Sequence, residues 1–214
     1  MLRLAGGFWY SPYIGPTNSF ASDIHATTSA GIFAGGTMPL VYFNGSHWKA
    51  LTNPTSAKGV VVRSVWALGY NRAYAATEHG ELWKCSNSSC NTLYSNTTAG
   101  GFEAIWGLSK DLILVAAVDK KIYEVSSTGL KTVSKVYNVQ LAGLGGNAKG
   151  VVFAVGKNGN TGKVLRRTGP GSWVETTLYG GAAGAVSLRD VWVADTGEAV
   201  AVGEKGRSFI YRKK

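Results

Sequence analysis

The sequence predicts an all-β chain built from five copies of one four-stranded unit, a five-bladed β-propeller. Three observations carry this. A polar residue, an aliphatic residue and a large residue recur together at a fixed interval, as in "RSVWAL", "EAIWGL" and "RDVWVA". A short Ala/Val/Gly-rich run follows each copy about 11 residues later. Gly, Asn and Lys turns separate these runs, and no stretch holds a helical period for three turns.

Each innermost strand is set by its aliphatic anchor: Ile24 in "SDIHAT", Val65, Ile105, Leu144 in "AGLGGN", and Val191. Successive anchors lie 41, 40, 39 and 47 residues apart, and an interval of about 42 is the length of a four-stranded propeller blade. Neighbouring blades cover both faces of an innermost strand, so the anchor is followed by a second large residue. Trp66, Trp106 and Trp192 are expected as core wedges between blades, with His25 and Gly145 at the equivalent places. The second strands are "GIFAGG", "AYAATEHG", "LVAAVDKK", "VFAVGKNG" and "AVAVGEKG". The third are "LVYFNG", "ELWKCS", "KIYEVS", "KVLRRTG" and "SFIYRKK". Fourth strands are less regular and lie in "GSHWKALTN", "CNTLYSN", "LKTVSKVYN" and "GSWVETTLYG".

The fifth unit reaches Lys214 with three strands. Near the N-terminus "AGGFWYSPYIG" carries the Gly-x-x-Trp of a fourth strand, Gly6 and Trp9 matching Gly45 and Trp48. Residues 1–14 are therefore expected to complete the blade formed by about 186–214, which closes the ring without an open sheet edge. On this reading residues 1–214 are a single propeller domain.

The inner "VW", the second-strand "AVG" and the later Gly-x-x-Trp resemble the blades of bacterial and lectin-type β-propellers, and the size and blade number resemble the five-bladed tachylectin type. The resemblance covers nearly the whole chain. It implies the fold, and it transfers no binding residue to a numbered position here.

Composition narrows the classes. Apolar content of 45% and aromatic content of 11% exclude a disordered chain. No apolar run reaches the roughly 18 residues of a membrane span, and "MLRLAGGFWYSPYIG" lacks the apolar stretch of a signal peptide. A net charge of +10 suits anionic partners. The basic residues are dispersed, however, and the tight clusters, Arg166-Arg167 and "YRKK", lack interleaved stacking aromatics. Nucleic acid is not the expected partner.

Five residues at or just before the anchors are candidates for a ligand site at the channel mouth: Asp23, Arg63, Glu103, Arg189 and Asp190. Asp23, Glu103 and Asp190 are also the carboxylates that a glycoside hydrolase would need, since that chemistry takes two or three convergent acids. The plainer role for them is to cap turns or pair with Arg63 and Arg189, whose charge keeps a neighbouring carboxyl ionised and weakens a general acid. No enzyme activity is expected. His25, His47 and His79 lack paired ligand spacing, so neither metal nor cofactor is expected. There is no G-x-S-x-G elbow, and "GLGGNAKG" is an inner strand and turn without the following helix of a phosphate loop. Cys85 and Cys90 flank "SNSS" at a hairpin tip and suit a disulfide. Sequons at Asn44, Asn87 and Asn96 occur about as often as chance allows.

The function expected is that of a non-catalytic structural and recognition propeller in a virion tail or other extracellular assembly, in contact with other protein subunits and with cell-surface glycan. Few charges, many Ser, Thr, Asn and Gly, and a disulfide suit an exterior setting. A virion protein assembled in the cytosol reconciles that with the missing export signal. The alternatives are a free secreted multivalent lectin with a sugar site in every blade, and the glycoside hydrolase. Divergent loops before the inner strands favour asymmetric protein contacts over repeated sugar sites.

Overall fold

Short apolar runs broken by turn residues fold into antiparallel meanders in which each strand pairs with its neighbour in sequence. The structure, a computed structural model, describes residues 3–5, 8–10, 19–27, 31–54, 59–176, 186–206 and 208–211. The strands fall into two units, Met1–Ser95 and Asn96–Lys214.

In the first unit, β1 (Arg3–Ala5) and β2 (Phe8–Tyr10) precede two blades. The first blade is β3 (Ala21–Ala26), β4 (Ile32–Gly36), β5 (Val41–Phe43) and β6 (Trp48–Ala50). The second is β7 (Val62–Gly69), β8 (Arg72–Thr77), β9 (Glu81–Ser86) and β10 (Cys90–Ser95). The second unit holds a third blade of β11 (Phe102–Ser109), β12 (Leu112–Ala117), β13 (Ile122–Ser126) and β14 (Gly129–Val133). Its fourth blade is β15 (Gln140–Gly146), β16 (Val152–Asn158), β17 (Thr161–Gly169) and β18 (Ser172–Glu175). A fifth follows with β19 (Leu188–Val193), β20 (Ala199–Gly203) and β21 (Ser208–Tyr211). This is the five-bladed β-propeller fold, its fifth blade holding three strands among the described residues.

The fourth strand expected for that last blade, residues 1–14, lies partly outside the described residues. Its described parts, β1 and β2, pair with each other through Arg3↔Tyr10, Leu4↔Trp9 and Ala5↔Phe8. The basic "YRKK" is described only as far as Tyr211.

One irregularity recurs in every blade. The register between first and second strands shifts at Ala21/Asp23, Val62/Ser64, Phe102/Ala104, Leu141/Gly143 and Leu188/Asp190. Each innermost strand therefore carries one extra residue just before its anchor pair: Ser22, Arg63, Glu103, Ala142 or Arg189. Such a bulge bends the strand and redirects the extra side chain. The residue opposite the bulge is the glycine of the second-strand "AVG" in the fourth and fifth blades, and Thr77 and Ala117 in the second and third. Opposite the fourth bulge, a Cβ on Gly156 would stand 1.9 Å from the Gln140 carbonyl oxygen.

Within each unit the blades stack through their innermost strands. Val65 packs with Phe33, Leu40 and Trp83 in the first unit. In the second, Leu144 packs with Ala104 and Leu114, and Val191 packs with Phe153 and Val155. The "GLGG" of β15 is small because it is squeezed from both sides. A Cβ on Gly145 would come within 2.1 Å of the Val191 carbonyl oxygen, and one on Gly146 within 2.5 Å of Trp106 Cζ2.

The three wedge tryptophans do not share one fate. Trp66 is buried and stacks on Tyr74, with ring centroids 5.9 Å apart. Trp106 is partly buried against the cluster around Leu144. Trp192 is 66% exposed, so the expectation that it is core is corrected. On β19 the alternate residues Val191 and Val193 face the fourth blade, and β19 is the last innermost strand of its unit. Trp192 thus points to the face that no blade of that unit covers. Ile24 is 52% exposed for the converse reason: it lies on the first innermost strand of its unit, and anchors face the preceding blade.

Hydrogen bonds between adjacent blades add to the apolar stacking. In the second unit the carboxylate of Glu124, a buried residue on β13, accepts from Arg167 Nε at 3.0 Å and Nη2 at 3.2 Å on β17. It also accepts from the Gly171 backbone N–H at 2.9 Å. Arg167, half of the tight basic pair in the sequence, is therefore committed to the fold. Asn147 Nδ2 donates to the Ala194 carbonyl oxygen at 2.7 Å, tying the fourth blade to the fifth.

Removing one partner of a buried ion pair strands the other charge, so Arg167→Ala should cost about 3–5 kcal/mol of stability. Replacing both residues, as Glu124→Leu with Arg167→Met, should cost much less. Denaturant melts of the single and double variants check this, and equal losses in both would contradict it.

Candidate functional site

The bulges place the candidate site residues, because Arg63, Glu103 and Arg189 are themselves the extra residues. Asp23 and Asp190 come immediately after a bulge.

In the first unit Asp23 is consumed by the fold. Its Oδ1 accepts the Ile24 N–H at 2.7 Å. Its Oδ2 accepts from Ser64 Oγ and from the Val65 N–H, both at 2.8 Å, on the innermost strand of the next blade. Two residues on, His25 Nδ1 accepts the Ala67 N–H at 3.0 Å. Asp23 and His25 together stitch β3 to β7. Burial holds the His25 pKa below its ordinary 6.5, partly opposed by the nearby Asp23 charge. Because Nδ1 is an acceptor, the ring in this arrangement is the neutral tautomer with its proton on Nε2. The bulged Arg63 is exposed and pairs with Glu78 at 3.3 Å. Glu78 Oε1 in turn accepts the Val61 N–H at 3.1 Å.

In the second unit Asp190 Oδ1 accepts the Val191 N–H at 2.8 Å, the same local bond that Asp23 makes to Ile24. Arg189 pairs with Glu204 across the β19–β20 bulge. Glu103 and Arg189 line one depression of about 340 Å³, together with Val118, Gln140, Leu141, Ala142, Lys157 and Ser187. The structure thus brings two of the five candidates into one concavity. Asp190 is not part of its lining, and Asp23 and Arg63 belong to the other unit.

The depression exists because of a sequence difference between blades. The third and fifth blades put Glu103 and Arg189 at the bulge, whereas the fourth has Ala142. Gln140 and Lys157, which face each other in the β15–β16 ladder, line the gap this leaves. Sequence reading missed both. The available signal was the position after the second-strand "AVG", which is Lys157 in one blade and Glu204 in another.

Cys85 and Cys90 face each other across β9–β10 and are joined by a disulfide. The segment after β6 docks at this tip: the Thr52 N–H donates to the Ser88 carbonyl at 3.1 Å, and the Cys90 N–H donates to the Thr52 carbonyl at 2.8 Å.

No protein-family model matches the chain, and no curated protein matches it. Solved structures do. One described as YCF48 bound to D1 peptide superposes with a TM-score of 0.69 at 14% identity, over 95% of this chain and 69% of that one. The Cps50 (Swd1) β-propeller domain of Myceliophteria thermophila gives 0.61 at 16% identity, over 86% of this chain and 66% of that one. The WD40 β-propeller domain of Doa1 gives 0.58 at 9% identity, over 92% and 94%. At these identities the likeness shows the shared propeller fold. The chain spans about two thirds of the length of the first two. Among the described residues, no helix is long and apolar enough to cross a membrane.

The His25 contact makes stability depend on pH. A histidine held below its ordinary value in the folded state stabilises fully above pH 6.5, and that contribution is lost as the pH falls below 6.5 and the unfolded chain takes up the proton first. His25→Gln keeps an acceptor and cannot titrate. Denaturation midpoints at pH 7.5 and pH 5.0 should therefore move less in the variant than in wild type, and equal shifts would contradict the assignment.

Proposed function

We propose that this chain is a non-catalytic recognition propeller that holds a protein partner in an extracellular assembly such as a virion tail. The observation that carries the reading is the inequality of the five bulges. Ser22, Arg63, Glu103, Ala142 and Arg189 occupy one geometric position in five blades, and only Arg63 and Arg189 share their chemistry. A lectin with a sugar site in each blade would repeat its ligands there, whereas a protein partner presents a different group to each blade. The fold's appearance in a peptide-bound propeller and in WD40 domains supports the same choice. The Cys85–Cys90 disulfide suits an oxidising exterior.

The carboxylates support a non-catalytic role. Acid/base cleavage of a glycoside needs one protonated and one ionised carboxyl flanking the bond. Asp23 already accepts three hydrogen bonds, two of them from the next blade. Glu103 is the one carboxylate in the lining of its depression among the described residues, so no acid pair flanks a bond there.

Wild-type protein should turn over no aryl glycoside or polysaccharide, bind no member of a glycan array, and capture peptides on an array. Reproducible turnover that disappears in Asp190→Ala would replace this reading with the hydrolase. Glycan capture without peptide capture would replace it with the lectin.

A further inference from the structure

The depression at the bulge end of the third, fourth and fifth blades is chemically polarised. Glu103 stands on one wall. Arg189 and Lys157 supply the positive side, with the Gln140 amide beside them and Val118 and Leu141 adding apolar surface. Among the described residues, Glu103 and Lys157 make no ion pair and no side-chain hydrogen bond. The Arg189 guanidinium is steadied by Glu204. A guanidinium has five N–H donors, so the pair with Glu204 leaves Arg189 able to bind a further acceptor.

We infer that this depression seats adjacent acidic and basic side chains of a partner's extended segment, the carboxylate on Lys157 and Arg189 and the cation on Glu103. This rests on the protein-recognition reading above and names the partner's chemistry. An acidic group alone would meet the repulsion of Glu103, and a basic group alone would meet two cations. A neighbouring pair of opposite sign satisfies both walls and rejects the single charges, which is how charge arrangement confers specificity. The size agrees. A depression of about 340 Å³ is at the small end of ligand pockets and suits one or two side chains. Ala142 is the residue that makes room, since a long side chain at that bulge would fill the gap between Glu103 and Arg189.

The experiment is a synthetic array of extended octapeptides with central pairs Glu-Lys, Gln-Lys, Glu-Gln and Gln-Gln in varied flanks, probed with wild type, Lys157→Gln and Glu103→Gln. Neither side chain makes an internal bond among the described residues, and thermal melts confirm that the variants fold. Glu-Lys peptides should bind wild type best. Replacing the peptide's Glu by Gln, or Lys157 by Gln, should each weaken binding about tenfold, and the two losses should not add. Glu103→Gln should abolish the preference for the peptide's Lys. If Lys157→Gln weakens Glu and Gln peptides equally, or capture ignores charge, the inference fails while the recognition reading stands. If wild type captures no peptide at all, the recognition reading fails with it.

Discussion

The extra residue at the head of each innermost strand is the constraint on which the rest of this protein depends. A strand that pairs regularly on one edge alternates its side chains between two faces, and a neighbouring blade of the same unit packs on at least one face of each innermost strand. A single unpaired residue breaks that alternation. It turns one side chain per blade out of the stack, and it lets the following residue reach the next blade's backbone. The bulge recurs at Ser22, Arg63, Glu103, Ala142 and Arg189. It brings carbonyls close enough to the second strand to require glycine at Gly156. The same irregularity thus shapes the packing and the candidate site.

Adjacent blades are joined by contacts whose sequence separations match the repeat. Asp23 reaches Ser64 and Val65, His25 reaches Ala67, Glu124 reaches Arg167 and Gly171, and Asn147 reaches Ala194, with separations of 41 to 47 residues. These bonds satisfy polar groups that blade stacking removes from water, and leaving such a group unpaired costs more than the bond itself gains. They also redistribute chemistry. Asp23 and Glu124, acidic residues in a chain of net charge +10, act as acceptors inside the stack. Ionisable groups without such a partner among the described residues include Glu103 on its bulge and Lys157 at the end of its second strand.

The proposed recognition role needs a rigid frame and variable outward residues. The blades supply the frame, since buried Val, Leu, Ala and Phe side chains fill the clusters between them. The bulged residue is bound by none of those packing demands and varies between blades: Ser22, Arg63, Glu103, Ala142 and Arg189. Substituting Ala for a long side chain at one bulge is enough to create a concavity. Under the proposed recognition role, specificity follows from which charges border the gap.

The strand order, the blade count and the anchors were legible in the sequence because each rests on local physics. Apolar runs of strand length, turn residues between them and a 39–47-residue recurrence of the anchors need no knowledge of what touches what. The hairpin position of Cys85 and Cys90 was legible on the same ground. The bulge was not, since "SDI", "RSV" and "RDV" read as ordinary strand until the ladder is counted on both sides. Nor was the contrast between Trp66, buried on its strand, and Trp192, exposed on the last innermost strand of its unit: the two share a motif and differ in what lies across from them. The roles of Asp23 and Glu124 as acceptors between blades were decided in the same way. A carboxylate becomes structural or available according to the blade that stacks on it about 42 residues away, and only the tertiary structure puts those two segments together.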